Sequence, residues 1–558
     1  MNNILMKIAA TARRRRDSRA ISEGKLARAL LDRFRTTGHR RLAAVVVTAV
    51  LSILVASVTI SSVQAEPEGL TVTGLPDGTI SAATLSAMTL RVDAEGHDPA
   101  DIRLELDGEP VDGRVDGGTV VYRPGSLPDG EHKFTAEIPV GGFFGFLRTG
   151  PGVSEVFTVD NEAPTLTVTQ PQAVSSYRQP VMVRGTATGA DRVAIGTQSV
   201  TPADDGSFEI TMPRAPTGAE IVAMDAAGNK ATQAISAAIE TPKISSVHVT
   251  AYGWAHEGLR EDVLNMVRDG RINTVQLDIK DEDGVVGYDS QVPLARESGA
   301  VEPIYDAPAT LRQLHDMGVR VVGRIVAFRD STMAEWAWNS GRTDWVIQNP
   351  YGQPYASKYG AIAFTNFANP EMRKYNIDLA VEAAKLGFDG IMYDYIRRPD
   401  GALSQMVFPG ATESPTTSIA EFLRESRDPV RDAGADLSAA VFGVAATRPD
   451  EIAQDIPLMS KYVDYIAPML YPSHWNPGEY GVANPNSQPY DIVFRSLQDF
   501  RKQTQGTSAK IVPWLQDFSL GVSYGSGEVT AQIDAARDAG VDGFFLWSPT
   551  VTYHLAAG

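Results

Sequence analysis

Hydrophobic and polar positions follow two different patterns along the chain, and the change falls near residue 245. Between residues 66 and 240, short segments alternate every second residue and are separated by turns of Gly, Asp and Pro. This period is typical of half-buried β-strands. From residue 245 onward, short apolar runs are followed repeatedly by longer segments with helical spacing. The pattern predicts all-β modules followed by a β/α domain.

The all-β part divides into residues 66–160 and 163–240. The first contains segments such as "MTLRVDAEG" and "DIRLELDG", and the second ends in "AMDAAGNKAT". That ending resembles the last strand and turn of bacterial immunoglobulin-like domains. We therefore predict two small β-sandwiches in series. Since no aromatic cluster marks a ligand face in either, we interpret both as spacer and support.

Eight strand-then-helix units are predicted over residues 245–555. The apolar strands fall at 245–252, 274–280, 320–328, 390–396, 437–443, 465–471, 510–518 and 543–548. Several helical stretches between them end in Gly, which commonly stops a helix. Eight such units favour a (β/α)₈ TIM barrel over an open doubly wound sheet. No G-x-G-x-x-G follows the first strand and no G-x-x-x-x-G-K-[ST] is present, so a nucleotide-binding fold lacks its usual motifs.

The N-terminus carries a basic arm followed by an uncharged segment. Residues 1–41 have a net charge of +9, and residues 42–63 contain no charge. The uncharged run is long enough to cross a bilayer, and Arg40 and Arg41 precede it directly. Because positive charge stays on the cytoplasmic side, the C-terminal body is expected outside. The segment is either a retained anchor in the cell membrane, which its length favours, or a signal cleaved after Ala65 that leaves a secreted body.

Overall composition narrows the partners. The whole chain carries −18, so the part after residue 41 carries −27, which argues against nucleic acid. The chain has no cysteine, so disulfides and thiolate catalysis are excluded. No His, Asp or Glu cluster has metal-binding spacing, and we predict neither a metal nor another cofactor. No serine lies in a G-x-S-x-G context, so a serine hydrolase is not expected.

Strand alternation predicts which side chains line the C-terminal mouth of the barrel, where the chemistry of such barrels takes place. The first strand would place His248, Thr250 and Tyr252 inward, and the second Gln276, Asp278 and Lys280. The remaining inward set comes from later strands and their ends, namely Arg324, Met392, Asp394, Tyr471, Trp514, Gln516 and Trp547. A barrel interior is normally filled with Val, Ile and Leu, so this many polar residues indicates a functional site.

Paired carboxylates and aromatic rings in one mouth are typical of glycoside hydrolysis, which uses two Asp or Glu across the scissile bond. Asp394, in "MYDYIRRP", is the predicted nucleophile or charge stabiliser, and Asp278 is the predicted acid/base. Each could instead belong to a structural ion pair with Arg324 or Lys280. Asp517, in "PWLQDF", has the opposite parity and is a reserve acid because strand ends often twist.

Other residues of the mouth are predicted to bind substrate. Arg324, Lys280 and Arg397 would orient hydroxyls or acidic substituents. Rings in the mouth and in the polar segment "LYPSHWNP" would stack on sugars, with His474 either a ligand contact or a surface residue. The full predicted binding set is Tyr252, Lys280, Arg324, Tyr395, Arg397, Tyr471, His474, Trp475, Trp514, Gln516 and Trp547.

Residues 245–555 resemble a bacterial glycoside hydrolase family whose barrel was first catalogued as a domain of unknown function. The matching pieces include "NTVQLDIKDEDG", "GRIVAFRD", "GFDGIMYDYIRRP", "VDYIAPMLYPSHW" and "VPWLQDF". The resemblance implies a TIM barrel and hydrolysis or handling of a polysaccharide or glycan at the cell envelope. It leaves open a catalytically inactive glycan-binding or scaffold protein on the same barrel.

One segment is also similar to the fourth-strand motif of chitinase-type barrels. In that motif a glutamate follows the last aspartate by two positions, and here Ile396 occupies the place. The chitinase acid is therefore missing, and substrate-assisted hydrolysis of N-acetyl sugars is not expected.

Overall fold

The computed structural model describes residues 69–556, apart from 77, 95, 140–149 and 241–242. The predicted basic arm, at residues 1–41, and the predicted membrane or signal segment, at 42–63, lie outside the described residues. Within the described ranges, no helix is both long and apolar enough to cross a bilayer. The chain divides into two compact units, Met1–Asn161 and Glu162–Gly558, and each is described by itself.

The first unit contains two β-sheets around one core. Its four-stranded sheet has the order β1-β3-β7-β6 and its five-stranded sheet the order β2-β9-β8-β4-β5. Alternate residues such as Leu90, Val92 and Phe134 are fully buried between the sheets. The elements are β1 (Thr71–Thr73), β2 (Thr79–Ile80), α1 (Ala82–Ala87), β3 (Leu90–Asp93), β4 (Arg103–Leu106), β5 (Glu109–Val111), β6 (Arg114–Asp116), β7 (Thr119–Tyr122), β8 (Gly130–Glu137) and β9 (Gly152–Val159).

The second unit begins with another two-sheet module. Its sheets have the orders β10-β11-β14 and β13-β12-β15-β16, and all pairs are antiparallel. Val183, Val193 and Ile221 are buried between them. The strands are β10 (Thr165–Thr169), β11 (Val181–Thr188), β12 (Arg192–Ile195), β13 (Gln198–Val200), β14 (Ser207–Met212), β15 (Thr217–Met224) and β16 (Lys230–Ser236). Both predicted β-regions are therefore sheet-rich, while their immunoglobulin-like character stays a prediction.

The rest of the second unit is a closed barrel with eight parallel strand positions, one of which is formed by two short strands, β23 and β24. The pairing runs β21-β20-β19-β18-β17-β25-β24-β22, and a further β21–β22 pairing closes the ring. The predicted TIM barrel is confirmed. Its strands are β17 (Ser245–Val249), β18 (Thr274–Lys280), β19 (Arg320–Val326), β20 (Gly390–Asp394), β21 (Asp436–Phe442), β22 (Tyr465–Met469), β23 (Lys510–Ile511) with β24 (Trp514–Gln516), and β25 (Phe544–Trp547).

Helices cover the outside of the barrel and are set by ordinary start and stop signals. In helix α7 (Pro370–Leu386), Asn369 caps the first turn, Pro370 occupies its first position, and Gly387 ends the helix with φ 131°. The helices of the barrel are α2 (Ala251–Ala255), α3 (Glu257–Arg268), α4 (Pro293–Glu297), α5 (Ala307–Asp316), α6 (Ser331–Asn339), α7 (Pro370–Leu386), α8 (Pro415–Asp432), α9 (Ile456–Met459), α10 (Pro489–Gln503) and α11 (Ser526–Asp538).

The strand faces divide as the alternation predicts. Val275, Leu277 and Ile279 of β18 belong to the large core between strands and helices. The inward face has a smaller apolar layer that includes Val322, Met392 and Ala440. Inward side chains beyond this layer, at the carboxyl ends of the strands, form the site described below.

The second β-module packs on the opposite, amino-terminal ends of the strands. Arg178 donates to Phe388 O at 2.7 Å and pairs with Asp389 Oδ1 at 3.2 Å, directly before β20. Tyr177 donates to Asp464 Oδ1 at 2.9 Å, directly before β22. These contacts tie the module to the base of two barrel strands.

Candidate active site

Three adjacent strand ends bring the central charged residues together. In the parallel register, Asp278 of β18 lies beside Arg324 of β19. Val326, two residues after Arg324, lies beside Asp394 of β20. Because alternate residues of a strand share a face, the three side chains meet inside the barrel.

The Arg324 guanidinium binds three carboxylates at once. Its Nη1 donates to Asp278 Oδ1 at 2.9 Å, and its Nη2 donates to Glu282 Oε1 at 2.5 Å. Its Nε and Nη2 also donate to Asp394 Oδ2, at 3.0 and 2.7 Å. Burial by itself would lower the pKa of Arg324, but the three carboxylates outweigh it and raise that pKa well above its ordinary value. Arg324 is therefore a fixed positive charge.

Asp278 lies beneath the cavity. Its side chain is 1% exposed, and His248 Nε2 lies 2.9 Å from its Oδ1. Burial opposes its ionisation, but the charges of His248 and Arg324 prevail and hold the pKa of Asp278 below its ordinary value. The predicted acid/base residue thus contacts Arg324 and His248 and does not line the cavity.

Glu282 lines the cavity and was not predicted from the sequence. Its side chain is 36% exposed and lies in the loop after β18. Burial by itself would raise the pKa of Glu282, but Arg324 outweighs that effect and brings it below the ordinary value. The segment "DIKDEDG" has four acids, and strand parity assigns a direction only to the one inside the strand.

The cavity has a volume of about 320 Å³ and opens at the carboxyl ends of the strands. Asp394, Glu282 and Arg324 form part of its wall. The other lining residues are Lys358, Tyr359, Tyr395, Phe442, Gly443, Val444, Arg448, Met469, Tyr471, His474, Trp475, Glu479, Trp514 and Trp547. In the described part of the chain, no three His, Asp or Glu side chains are arranged to hold a metal ion.

Aromatic rings form much of the wall, as predicted. Tyr471 and Trp547 stack with centroids 5.3 Å apart and planes 29° apart. Trp514 lies with its ring 6.0 Å from the Arg324 guanidinium. Trp475 also lines the cavity, and the pKa of His474 is lowered by burial and then by Lys358. His474 is therefore largely neutral near pH 7 and presents an uncharged ring.

The backbone after Asp394 adopts an unusual conformation. Tyr395 has φ 50°, in the left-handed region that non-glycine residues rarely enter. This conformation directs the Tyr395 N–H onto Asp394 Oδ1 at 2.6 Å and places the tyrosine ring in the cavity wall. Such strain persists only where surrounding contacts enforce it, and it is commonly found at functional sites.

Two predicted binding cations do not face the cavity. The register between β18 and β19 shifts between Asp278 and Lys280, so strict alternation ends before Lys280. Lys280 is 0% exposed and instead donates to Asp330 Oδ2 at 2.7 Å. Arg397 is also fully buried, behind Tyr395 and Phe442, with guanidinium-to-centroid distances of 5.0 and 4.4 Å. The prediction that both contact substrate is corrected to a supporting position.

Three further predicted residues lie elsewhere. Strand β17 ends at Val249, so Tyr252 falls on helix α2, is 57% exposed and donates to Glu302. Gln516 is fully buried and accepts from Ser473 Oγ at 2.8 Å, which holds the loop after β22. Asp517 points outward, as its strand parity predicts, and accepts from the His554 backbone N–H at 2.7 Å. Burial raises the pKa of Asp517. None of the three lines the cavity.

A charged pair that was not predicted also lines the cavity. Arg448 and Glu479 pair at 3.2 Å, and Asn476 donates to the same Glu479 oxygen at 2.8 Å. Both come from loops after β21 and β22, where the sequence pattern carries no parity signal.

The sequence matches a known family over most of the barrel. The model of the family DUF4015, described as "Putative glycosyl hydrolase domain", matches residues 246–553, which is more than half of the chain. The resemblance predicted from the sequence is thereby confirmed. No curated protein matches the chain.

Solved structures with some likeness to the chain were also found. A hypothetical protein from Ruminiclostridium thermocellum is 30% identical, with 35% of this chain and 96% of that chain covered and a TM-score of 0.31. The glycoside hydrolase domain of PgaB (BpsB) from Bordetella bronchiseptica is 14% identical, with coverages of 56% and 95% and a TM-score of 0.42. The glycoside hydrolase domain of PelA from Pseudomonas aeruginosa is 15% identical, with coverages of 57% and 99% and a TM-score of 0.35.

Proposed function

We propose that the barrel cavity hydrolyses a glycosidic bond in a cell-envelope glycan, because the chain belongs to the DUF4015 family of glycosyl hydrolase domains. Glycoside hydrolase is the enzyme class that family membership gives. The identity of the reacting carboxylates and the location of the substrate are our proposal.

One observation carries the assignment of the carboxylates. Glu282 Oε1 and Asp394 Oδ2 accept from the same Arg324 Nη2 atom, at 2.5 and 2.7 Å. The two oxygens therefore lie no more than about 5.2 Å apart. Retaining glycosidases hold their two carboxyl groups about 5–5.5 Å apart, whereas inverting enzymes need about 6.5–9.5 Å to admit a water. This separation favours the retaining mechanism.

Asp394 is assigned as the nucleophile. It accepts hydrogen bonds from Arg324 and from the Tyr395 N–H, so its carboxylate is held in one orientation. Its oxygen would attack the anomeric carbon as the glycosidic bond breaks, forming a glycosyl ester. The positive charge of Arg324 stabilises the carboxylate before attack and again when it leaves.

Glu282 is assigned as the acid/base. In the first step it would give its proton to the departing glycosidic oxygen. In the second step it would take a proton from water as that water attacks the anomeric carbon, which releases Asp394 and regenerates the acid. Burial would raise the pKa of Glu282, but Arg324 holds it below its ordinary value, so the protonated form that the first step needs is populated at acid pH.

The aromatic wall supports a sugar substrate. Tyr471 and Trp547 offer stacked rings beside the carboxylates, and Trp475 and Tyr359 line other parts of the cavity. Ring faces pack against the C–H faces of sugars, while the polar groups at the rim can bond to hydroxyls.

A catalytically inactive glycan-binding protein is the second candidate. It is favoured by the same Arg324 contacts, since a guanidinium that neutralises carboxylates can also be a purely structural ion cluster. In that case the cavity would hold a glycan without cleaving it.

Release of reducing ends from a panel of cell-envelope polysaccharides separates these candidates. The full-length protein is compared with Glu282→Gln and with Glu479→Gln as a matched cavity control. We expect hydrolysis by the wild type, a loss of about a hundredfold or more in kcat for Glu282→Gln, and a much smaller change for Glu479→Gln. Binding of a polysaccharide without any release of reducing ends would support the inactive candidate.

The proposal includes an exported body. It is supported by the basic arm before the uncharged segment at residues 42–63. A reporter fused after the C-terminus is expected to be active outside the cytoplasm. Activity confined to the cytoplasm would refute export, and a mature N-terminus at Glu66 would indicate cleavage rather than a retained anchor.

A further inference from the structure

Asp281, the residue before Glu282, closes the loop that carries Glu282 through hydrogen bonds to the loop backbone. Asp281 Oδ1 accepts from the backbone N–H groups of Asp283 and Val285, at 3.0 and 2.9 Å. The Asp281 N–H donates to Val285 O at 3.0 Å. One carboxylate oxygen therefore fixes the backbone on the far side of Glu282, and the strand fixes the near side.

The base of this loop is anchored by a buried ion pair. Lys280 Nζ donates to Asp330 Oδ2 and to Asn376 Oδ1, at 2.7 and 2.9 Å, and both Lys280 and Asp330 are 0% exposed. Gly284 lies so close to the same group that an added Cβ would be 2.0 Å from Asp330 Oδ1. Both ends of the loop, at Lys280 and at Gly284, therefore lie against Asp330.

A second contact holds the middle of the loop. Thr332 donates to Asp283 O through its backbone N–H at 3.1 Å and through its hydroxyl at 2.7 Å. Asp283 contributes only backbone atoms to the hydrogen bonds that the structure describes for it. Its own side chain is exposed.

From this arrangement we propose that Asp281 is a positioning residue that holds Glu282 against Arg324 in the reacting geometry. The inference rests on the proposed function, because it gives Asp281 a role only through Glu282. Asp281 does not line the cavity, so it acts on the loop and not on the glycan. The charges of two other acids, Asp278 and Glu282, act on Asp281. Lys280 precedes Asp281 in the chain, and the charge of Asp281 also acts on Tyr252 of helix α2.

The acceptor oxygen, and not the charge, is the feature that matters for this role. Asn at position 281 keeps an oxygen in the place of Oδ1 and can close the same turn. Ala removes the oxygen and leaves two backbone N–H groups to find water. A side chain displaced by about 1 Å from its reacting geometry can lose about a hundredfold in rate.

The test compares Asp281→Ala, Asp281→Asn and the control Asp283→Ala in the full chain, on a glycan that the wild type hydrolyses. We expect Asp281→Ala to lower kcat about ten- to a hundredfold with KM within about twofold. Asp281→Asn and Asp283→Ala should remain within about threefold of the wild type. In Asp281→Ala the alkaline limb of kcat/KM should also move to higher pH, because Glu282 loses its fixed contact with Arg324.

The outcomes are distinguishable from failure of the proposed function. If Asp281→Ala melts like the wild type and keeps both its kcat and its pH limb, the positioning role is overturned. Equal impairment of Asp281→Asn and Asp281→Ala, with folding intact, would also overturn it, since the acceptor would then be irrelevant. If Glu282→Gln keeps full activity, the proposed function itself fails, whatever the Asp281 variants do.

Discussion

Glu282 and Asp394 share one hydrogen-bond donor, Nη2 of Arg324, which lies 2.5 Å from the first and 2.7 Å from the second. The two residues come from a loop and a strand separated by over a hundred positions in the chain. A single rigid guanidinium therefore fixes both their separation and their orientation. The mechanism proposed for this barrel follows from that shared contact.

The stereochemical outcome is the first prediction. Glu282 Oε1 and Asp394 Oδ2 lie at most about 5.2 Å apart, which is closer than the spacing that admits a water in inverting enzymes. We expect the initially released sugar to retain the anomeric configuration of the substrate. Proton NMR of the first products, recorded before mutarotation, measures this. Initial release of the inverted anomer would exclude Asp394 as a covalent nucleophile.

The pH dependence is the second prediction. Glu282 reacts in its protonated form, so kcat/KM should be highest below the pKa of Glu282 and fall as the pH rises through it. Burial would raise that pKa, but Arg324 outweighs burial and brings it below the ordinary value of 4.5. The alkaline limb of kcat/KM should therefore lie on the acid side of that value. A bound glycan removes water from Glu282, so the limb of kcat should lie at higher pH.

Two pH profiles test this assignment. They are recorded for kcat/KM and for kcat, with enzyme stability checked at each pH. A kcat/KM that stays constant from pH 5 to pH 8 would contradict a general acid held against Arg324.

Trp547 provides the third prediction, which concerns substrate binding. Its ring stacks on Tyr471 and lines the cavity. Trp547→Ala should raise KM about tenfold, equivalent to about 1.4 kcal/mol, with a smaller change in kcat. Trp547→Phe should recover most of the loss. Tyr490→Ala, which removes a partly exposed ring on helix α10, is the control and should leave KM unchanged. An unchanged KM in Trp547→Ala would remove this ring from the binding surface.

Strand alternation predicted the central cluster because β18, β19 and β20 keep a regular register through Asp278, Arg324 and Asp394. The repeated strand-then-helix pattern likewise predicted the barrel. Lys280 was misplaced because a register shift follows Asp278, and Tyr252 because the first strand ends at Val249. The register shift at Ile279 carries no Gly or Pro, whereas Thr250, which caps helix α2, was an available signal for the end of the first strand.

Glu282 could not be assigned in the same way. It lies in a loop, where side-chain direction depends on turn geometry and not on a two-residue period. The geometry is set by Asp281, Gly284 and the distant Asp330, and only folding brings the last of these into contact. An acid-rich segment directly after an inward Asp was the available signal.

The fourth prediction concerns the β-module next to the barrel. Arg178 binds Asp389 and the carbonyl of Phe388, directly before the strand that carries Asp394. Arg178→Ala should reduce the free energy of unfolding by about 1.5–3 kcal/mol, since hydrogen bonds to charged groups contribute about that much. Arg184→Ala is the control, because Arg184 and Glu209 form a pair that is 60% and 58% exposed. It should change stability by less than about 1 kcal/mol.

Tryptophan fluorescence makes this test specific. All seven tryptophans lie in the barrel region, whereas Arg178 lies in the β-module. A lower denaturation midpoint by this signal in Arg178→Ala would show that the module stabilises the barrel. An unchanged midpoint would mean that the two fold independently.

The most direct test of the central claim is the rate of reducing-end release by Asp394→Asn relative to the wild type, with melting measured on the same samples. The substitution is nearly isosteric, and Arg324 keeps Asp278 and Glu282 as partners. If Asp394 is the nucleophile, the rate should fall about a thousandfold or more while the protein remains folded. A variant that hydrolyses glycan at the wild-type rate per folded molecule, even if it melts earlier, would contradict the account and reduce Asp394 to a structural ion-pair partner.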